Sequence, residues 1–430
     1  MRYLYWIWEN KLKSLFTTLA NIAYPDKTAP VLQDDTDNPW AEKNDISGAM
    51  TLGYLLFENP EIGYFANNKL STKFYWNASE EQLEKLKNIQ ALPPTELSLA
   101  FPDTHYYVMR EGWNKNDKML LVSAGVDSLK PDHQHGDILG IQAMANGQVV
   151  LPNYQVRYSL KDLELFKNSM TKNVALVDDE LQGKQYTSNK GGSGFGKFME
   201  LPNPKIIVWE SNENIDVFVG SHDGFENVGV HYSRQVINMS NDFWIVKDNF
   251  SSKENHEYKQ VWQGHYTMEN NSDLLRSTFE NGSGLDVFQL NKTDKVETEG
   301  TRGKEWSVVS KIKTNNFNFV TIIYPFSTYD KRIDEDAKDK VFYGWKLNDS
   351  KWKVDNVDTT SLTKGTISIF FSVNVLEFED IKIEFEDEVD VLLNTENNTL
   401  KLRLLNKNKG KAIITKKGIK QIINCTAKTD

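Results

Sequence analysis

The chain has 430 residues, 39% hydrophobic, 26% charged and 12% aromatic, which predicts two or three domains with a large buried interior and excludes a disordered chain. Its net charge of -10 excludes a general affinity for nucleic acid, whose phosphates require a surplus of Lys and Arg on one face. The lone cysteine, Cys425, can form neither an internal disulfide nor a thiolate metal cluster.

The opening MRYLYWIWENKLKSLF is too polar after ten residues for the apolar core of a signal peptide, and no run of about 18 uncharged apolar residues occurs. No membrane span is expected. Up to about residue 95 the apolar spacing is helical: Leu4, Ile7, Trp8 and Leu12 share one face, as do Met50, Tyr54 and Leu55. Ser79 before EEQLEKLKN reads as the N-cap of an acid-first helix. The breaks AYPDKTAPVLQDDTDNPW and ALPPTELSLAFPD are rich in Pro, Asp and Asn and mark long loops between short helices.

Beyond Pro102 the pattern changes to period two. YYVMREGW, KMLLVSAG, ILGIQAMANGQVVL, KIIVWES, DVFVGSH, QVINMS, DFWIVKDNF and FVTIIYPF succeed one another with turn signals between them, predicting a large antiparallel β region, a two-layer sandwich. Near the end, IKIEFEDEVDVLL, LKLRLL and the Lys-rich NKNKGKAIITKKGIK read as neighbouring strands whose opposite charges face each other, a solvated surface rather than an anion site. The fold class is α+β, mainly β: a helical segment over 1–95, a sandwich over 96–375 and a small β domain over 376–430.

Chemistry concentrates in PDHQHGDILGIQAMANGQVVLPNYQVRYS, residues 131–159. On a strand, His133 and His135 would share one face, which suits a common metal or substrate, although two histidines fall short of a zinc site. Asn146-Gly147 is a hairpin signal that folds Asn153, Tyr154, Arg157 and Tyr158 back beside them. Arg grips carboxylate or sulfate with two prongs, and His and Tyr can move protons near neutral pH. The glycines of SNKGGSGFGKF match no phosphate-binding pattern and read as a surface loop. His222, with Asp223, His231 and Arg234 nearby, reads as mainly structural, and His265 as a satisfied core histidine.

That stretch, with NSMTKNVALVDDELQG, HDGFENVGVHYSRQVI and FWIVKDNF, resembles the C-terminal half of heparinase II/III-like polysaccharide lyases, and the helical start resembles the last helices of their (α/α) toroid. The resemblance implies a groove between toroid and sandwich, and β-elimination on an acidic, uronate-containing polysaccharide outside the cell or in the periplasm. It makes His133 the active-site histidine and His135 a neighbouring metal ligand, with Tyr154, Arg157 and Tyr158 as further catalytic candidates and Asn153 and Lys172 as substrate-binding ones. Where the family usually has Asp-Pro-Gly stands Leu151-Pro152-Asn153, and where it usually has His-Asn stands Lys172-Asn173. Neither leucine nor a protonated lysine can serve a divalent ion, which argues against a bound zinc or calcium. Lys172 is instead expected to supply a fixed positive charge. Only about 130 residues precede His133, so the chain reads as the C-terminal part of a longer enzyme. A noncatalytic carbohydrate-binding or structural β protein is the alternative.

Overall fold

The computed structural model describes residues 2–32, 34, 40–125, 133–154, 156, 162–187, 196–266, 274–300, 305–328, 352–355, 359–378, 380–395 and 399–428. Helices dominate the first part: Arg2–Ile22, Ser47–Phe57 and Pro60–Phe65, then short turns at Thr72–Tyr75 and Glu80–Lys85. Ser79 caps the last of these through a reciprocal pair with Gln82, as a Ser three residues before a Gln predicts. Met50, Tyr54 and Leu55 are buried, whereas Trp8 and Leu12 remain exposed; Ala20 of the first helix and Ala23 just beyond its end face the core instead.

The β region is organised as three large antiparallel sheets. Strands Leu99–Phe101, Tyr106–Arg110, Met119–Ser123, Gly140–Ala145 and Gln148–Leu151 form a five-stranded antiparallel meander. Its last turn places Asn146 and Gly147 at φ 52° and 74°, the left-handed pair that a two-residue hairpin requires. A nine-stranded sheet comes next, with Trp244–Gly264 and Glu305–Phe326 as its long central pair. The third sheet, seven-stranded, is built from Lys353 to Thr426.

Alternation along the strands stacks these layers. Val217, Val219, Ile237 and Ile245 pack with Leu362, Ile369 and Phe371 of the seven-stranded sheet. Their immediate neighbours Phe218, Val236, Trp244 and Val246 pack with Met109, Leu120, Val122 and Ile141 of the five-stranded sheet. The nine-stranded sheet is therefore apolar on both faces, which is why its strands read as nearly continuous hydrophobic runs. Ile22 and Tyr24, at the end of the first helix, cover the far face of the five-stranded sheet with Val108, Leu121 and Met144. Each large side chain buried in these interfaces contributes about 1.5–3 kcal/mol.

Two expectations meet a different arrangement. The strand Ile367–Phe378 pairs with Ile381–Asn394, so the sheet that holds the C-terminal residues extends across 375 and begins near Lys353. Within it, Lys382 lies opposite Thr415 and Glu384 opposite Ile413. Charges pair both along the strand, Lys382 Nζ standing 2.9 Å from Glu384 Oε1, and with the Lys-rich stretch, Lys407 Nζ standing 3.0 Å from Asp387 Oδ2.

Candidate active site

After the short strand Thr28–Pro30 the chain leaves the helices and crosses the five-stranded sheet. Val31 is fully buried, and its carbonyl accepts from Gln142 Nε2 at 2.8 Å and Asn153 Nδ2 at 3.2 Å. This stitching delivers Asp34 to the segment that carries the histidine pair. The Asp34 carboxylate lies 2.9 Å from His135 Nε2, 2.6 Å from Lys167 Nζ and 3.6 Å from His133 Nδ1. Lys167 also donates to the Gly196 carbonyl at 2.8 Å. Asp34, His135 and Lys167 have no exposed side-chain surface, whereas His133 retains 36%. His133 is thus the solvent-facing edge of a buried charge cluster.

The histidines occupy an irregular segment before Gly140–Ala145, not a strand. Both nonetheless turn toward one carboxylate, because the chain is clamped behind them. Gly136 N–H donates to the Lys167 carbonyl at 2.7 Å, and a Cβ at Gly136 would stand 2.7 Å from Asn168 Oδ1. Only glycine permits that approach.

Below the cluster, Lys172 Nζ donates to Asn153 Oδ1, and Asn153 Nδ2 donates to Asp137 Oδ2 at 3.2 Å. Burial pulls Lys172 down to about 8; Asp137 and Asp34 oppose that fall, and Lys167 adds to it. Burial likewise lowers His135, and the nearby Lys172 charge lowers it further. Asn153 and Lys172 are both buried, beside a cavity of about 10 Å³, enough for one water and far too small for a sugar. Asn173 ties the layer together by donating to the Ile141 and Pro152 carbonyls, at 2.9 Å each, and accepting from Gln263 N–H at 2.7 Å.

These residues do not fit a divalent metal. His135 Nε2 faces Asp34, Leu151 lies in the apolar core, and Lys172 places an ammonium where a ligand would be needed. Among the described residues no group of three or more His, Cys, Asp or Glu side chains has the geometry to hold a metal ion.

Tyr154 faces the other way from Asn153. Its buried hydroxyl donates to the Gly264 carbonyl at 3.1 Å, and burial raises it far above the ordinary tyrosine range. Its ring meets Trp40 and His265 edge-on, at 6.2 and 6.4 Å. His265 is no core histidine: it is partly exposed, with Nε2 2.6 Å from Glu42 Oε1. Arg157 and Tyr158 lie outside the described residues, as does 188–195 of the glycine-rich stretch. Asp34, Glu42 and Lys167 carried no sequence signal beyond an acidic loop and an ordinary helical lysine.

His222 and Arg234 are structural. His222 Nδ1 accepts from Gly224 N–H at 3.1 Å while Asp223 turns out to Asn203. Arg234 makes a two-pronged pair with Asp248, at 2.7 and 2.8 Å.

A family model described as heparinase II/III-like, C-terminal, matches residues 93–340, more than half of the chain. The chain belongs to the heparinase II/III-like family through this C-terminal region. A heparin-sulfate lyase of Pedobacter heparinus is 21% identical over 333 residues, 73% of this chain and 45% of that enzyme. The crystal structure of a heparan sulfate lyase from Pedobacter heparinus has the same fold, with a TM-score of 0.56 and 16% identity over 96% of this chain and 52% of the other. A heparinase III structure matches at a TM-score of 0.56 and 16% identity, covering 95% of this chain and 51% of its own. The chain spans about half the length of these relatives.

Proposed function

We propose that this chain is the sandwich-bearing part of a polysaccharide lyase that cleaves an acidic, uronate-containing glycan by β-elimination. The observation that carries the reading is the partly exposed imidazole of His133, set on a buried Asp34–Lys167 pair where the helical segment crosses the sheets. β-Elimination requires neutralisation of the uronate carboxylate, removal of the C5 proton and protonation of the leaving O4. His133, which keeps 36% of its side chain exposed, is proposed to reach a bound sugar and take part in the proton transfers. Arg157 is proposed to hold the carboxylate or a sulfate, and Tyr158 to act beside His133.

The burial of Lys172 and Asn153 supports a role beneath the glycan rather than in contact with it, Lys172 contributing a positive charge from below. Tyr154, whose hydroxyl is bound to a carbonyl, positions Trp40 and His265. The names of the relatives, heparin-sulfate and heparan sulfate lyase, make a glycosaminoglycan of that class the first substrate to try. A polymer of that size implies action in the periplasm or outside the cell.

Incubation of heparan sulfate, heparin, hyaluronan, chondroitin and alginate with the protein should produce the ultraviolet absorbance of an unsaturated uronate, and His133→Ala should remove it while sparing the fold. A noncatalytic glycan-binding protein is favoured by one observation, that an apolar side chain, Leu151, and a buried ammonium, Lys172, occupy the two positions where the chain departs from the family pattern. Binding without absorbance from any glycan, even when the protein is supplied with helices equivalent to the rest of the relatives' length, would establish that second reading and overturn the first.

A further inference from the structure

We propose that Tyr186 touches the bound glycan and is the acid that protonates the departing O4, a role that rests on the lyase reading of the site. Tyr186 stands on a two-stranded hairpin, Lys184–Thr187 with Lys197–Glu200, where it lies opposite Phe198. Phe198 is buried, and its ring meets that of Tyr186 at 5.4 Å. The hairpin is fastened to the turn after Lys167: Gly183 N–H donates to Asn168 Oδ1, and the Gly183 carbonyl accepts from Asn168 Nδ2, both at 2.9 Å. Returning, the chain passes the ring at Gly196, so closely that a Cβ there would run into the Tyr186 hydroxyl. The Gly196 carbonyl accepts from Lys167 Nζ at 2.8 Å, and that ammonium lies 2.6 Å from the Asp34 carboxylate. One glycine therefore separates the phenol from the charge pair that His133 borders.

Its hydroxyl is unlike those of the tyrosines packed in the sheets. Tyr154 donates to the Gly264 carbonyl, Tyr232 to Asp248, Tyr258 to the Asn315 carbonyl and Tyr266 to the Trp262 carbonyl. Tyr186 is only partly buried, and among the described residues no acceptor takes its proton. Burial raises it above the ordinary tyrosine range; the Gly196 amide opposes that rise, and the charges of Asp34 and Glu164 add to it. The phenol thus keeps its proton across neutral pH and has one to give.

In the elimination a base takes the C5 proton, the C5–H electron pair becomes the C4–C5 double bond, and the C4–O4 bond breaks with its pair on O4. Tyr186 passes its proton to that oxygen; the phenolate then regains a proton from water, and the base returns its own to water. C4 and C5 are neighbouring carbons, so the acid and the base must border the same sugar, as residues on the rim of one charge pair do.

The test uses the full 430-residue chain and two substrates, a cleavable glycan and a uronate that carries fluoride at C4, which leaves without a proton. Tyr186→Phe should lower kcat on the glycan by about 100-fold or more with KM within about threefold, and should leave fluoride release within about threefold of the unsubstituted protein. Equal slowing on both substrates, or loss in Tyr158→Phe with Tyr186→Phe unaffected, would overturn the acid role and leave the lyase reading standing. Contact is read separately, with 3-fluorotyrosine placed at position 186 alone and fluorine NMR, which needs neither turnover nor a folded Tyr186→Phe. A heparan sulfate oligosaccharide should shift that resonance, and an oligosaccharide that binds without shifting it would overturn the contact. Failure to cleave any glycan sinks the lyase reading and the acid role with it, and the fluorine shift then decides whether Tyr186 meets the glycan. Failure to bind any glycan overturns both.

Discussion

Among the buried charge clusters of the β layers, those around Arg234 and Asp34 are finished differently. In the Arg234 cluster both Asp248 oxygens receive two donors: Arg234 and Tyr232 on Oδ1, Arg234 and Gln260 on Oδ2, at 2.6–2.8 Å. The remaining Arg234 prong donates to the Leu139 and Asn173 carbonyls. In the Asp34 cluster one imidazole is exposed and the other keeps a buried nitrogen without a partner among the described residues. A closed network rigidifies, whereas one with an open edge has acceptors left for something else. The first braces the sheets, and the second is the proposed site.

Breaking the closed cluster should have the largest effect. Arg234→Met leaves Asp248 buried and uncompensated, and should lower stability by about 3–5 kcal/mol, measured as a fall in the urea midpoint at constant slope. The same measurement on His133→Gln, at the exposed edge of the Asp34 cluster, should show a clearly smaller loss. Equal losses would erase the distinction between brace and site.

His222 sharpens the comparison by pH. Its ring packs against Phe225 and Tyr232, with centroids 4.9 and 4.7 Å away, and burial pulls it from 6.5 to about 3. Between those values the unfolded chain binds a proton that the folded chain refuses, so stability from this group is complete above about pH 6.5 and declines as pH falls. The loss reaches on the order of 4 kcal/mol near pH 3. His222→Phe, which keeps the ring packing, should flatten the acid limb of the stability profile; an unchanged limb would mean that other groups set it.

How much the sequence disclosed depends on the distance over which each feature is specified. The Ser79 cap, the Asn146-Gly147 hairpin and the strands around Val217, Val236 and Ile245 are local, set by propensity and period two, and they were legible. Placing His133 and His135 together was legible from spacing, although the reason was not: they share a carboxylate, not a strand face. Asp34 with Lys167 and Glu42 with His265 join residues more than a hundred positions apart, and no periodicity links them. The extent of the seven-stranded sheet is hidden in the sequence for a related reason. Its start near Lys353 depends on which strand pairs with which, and the strand Ile367–Phe378 gives no local sign that Ile381–Asn394 is its partner.

Lys172 lies between the two clusters in character, buried like Arg234 yet bonded mainly to a neutral amide, Asn153. Because burial pulls it from 10.5 to about 8, the unfolded chain holds its proton more tightly than the folded one over that range. Stability from this group therefore rises as pH climbs from about 8 to about 10.5, the opposite direction from a salt-bridged lysine. Lys172→Met removes a charge that is costly to bury but leaves Asn153 Oδ1 unpaired. The two terms oppose each other, and the net change near neutral pH should stay within about 1 kcal/mol. Denaturant midpoints at neutral and alkaline pH check this, since the variant should lack the alkaline gain. If stability barely changes while affinity for an anionic oligosaccharide falls, Lys172 acts through its charge on whatever binds above it. If affinity and turnover are both unchanged, that electrostatic role is gone, and the lysine is only a space-filling remnant beside Asn153.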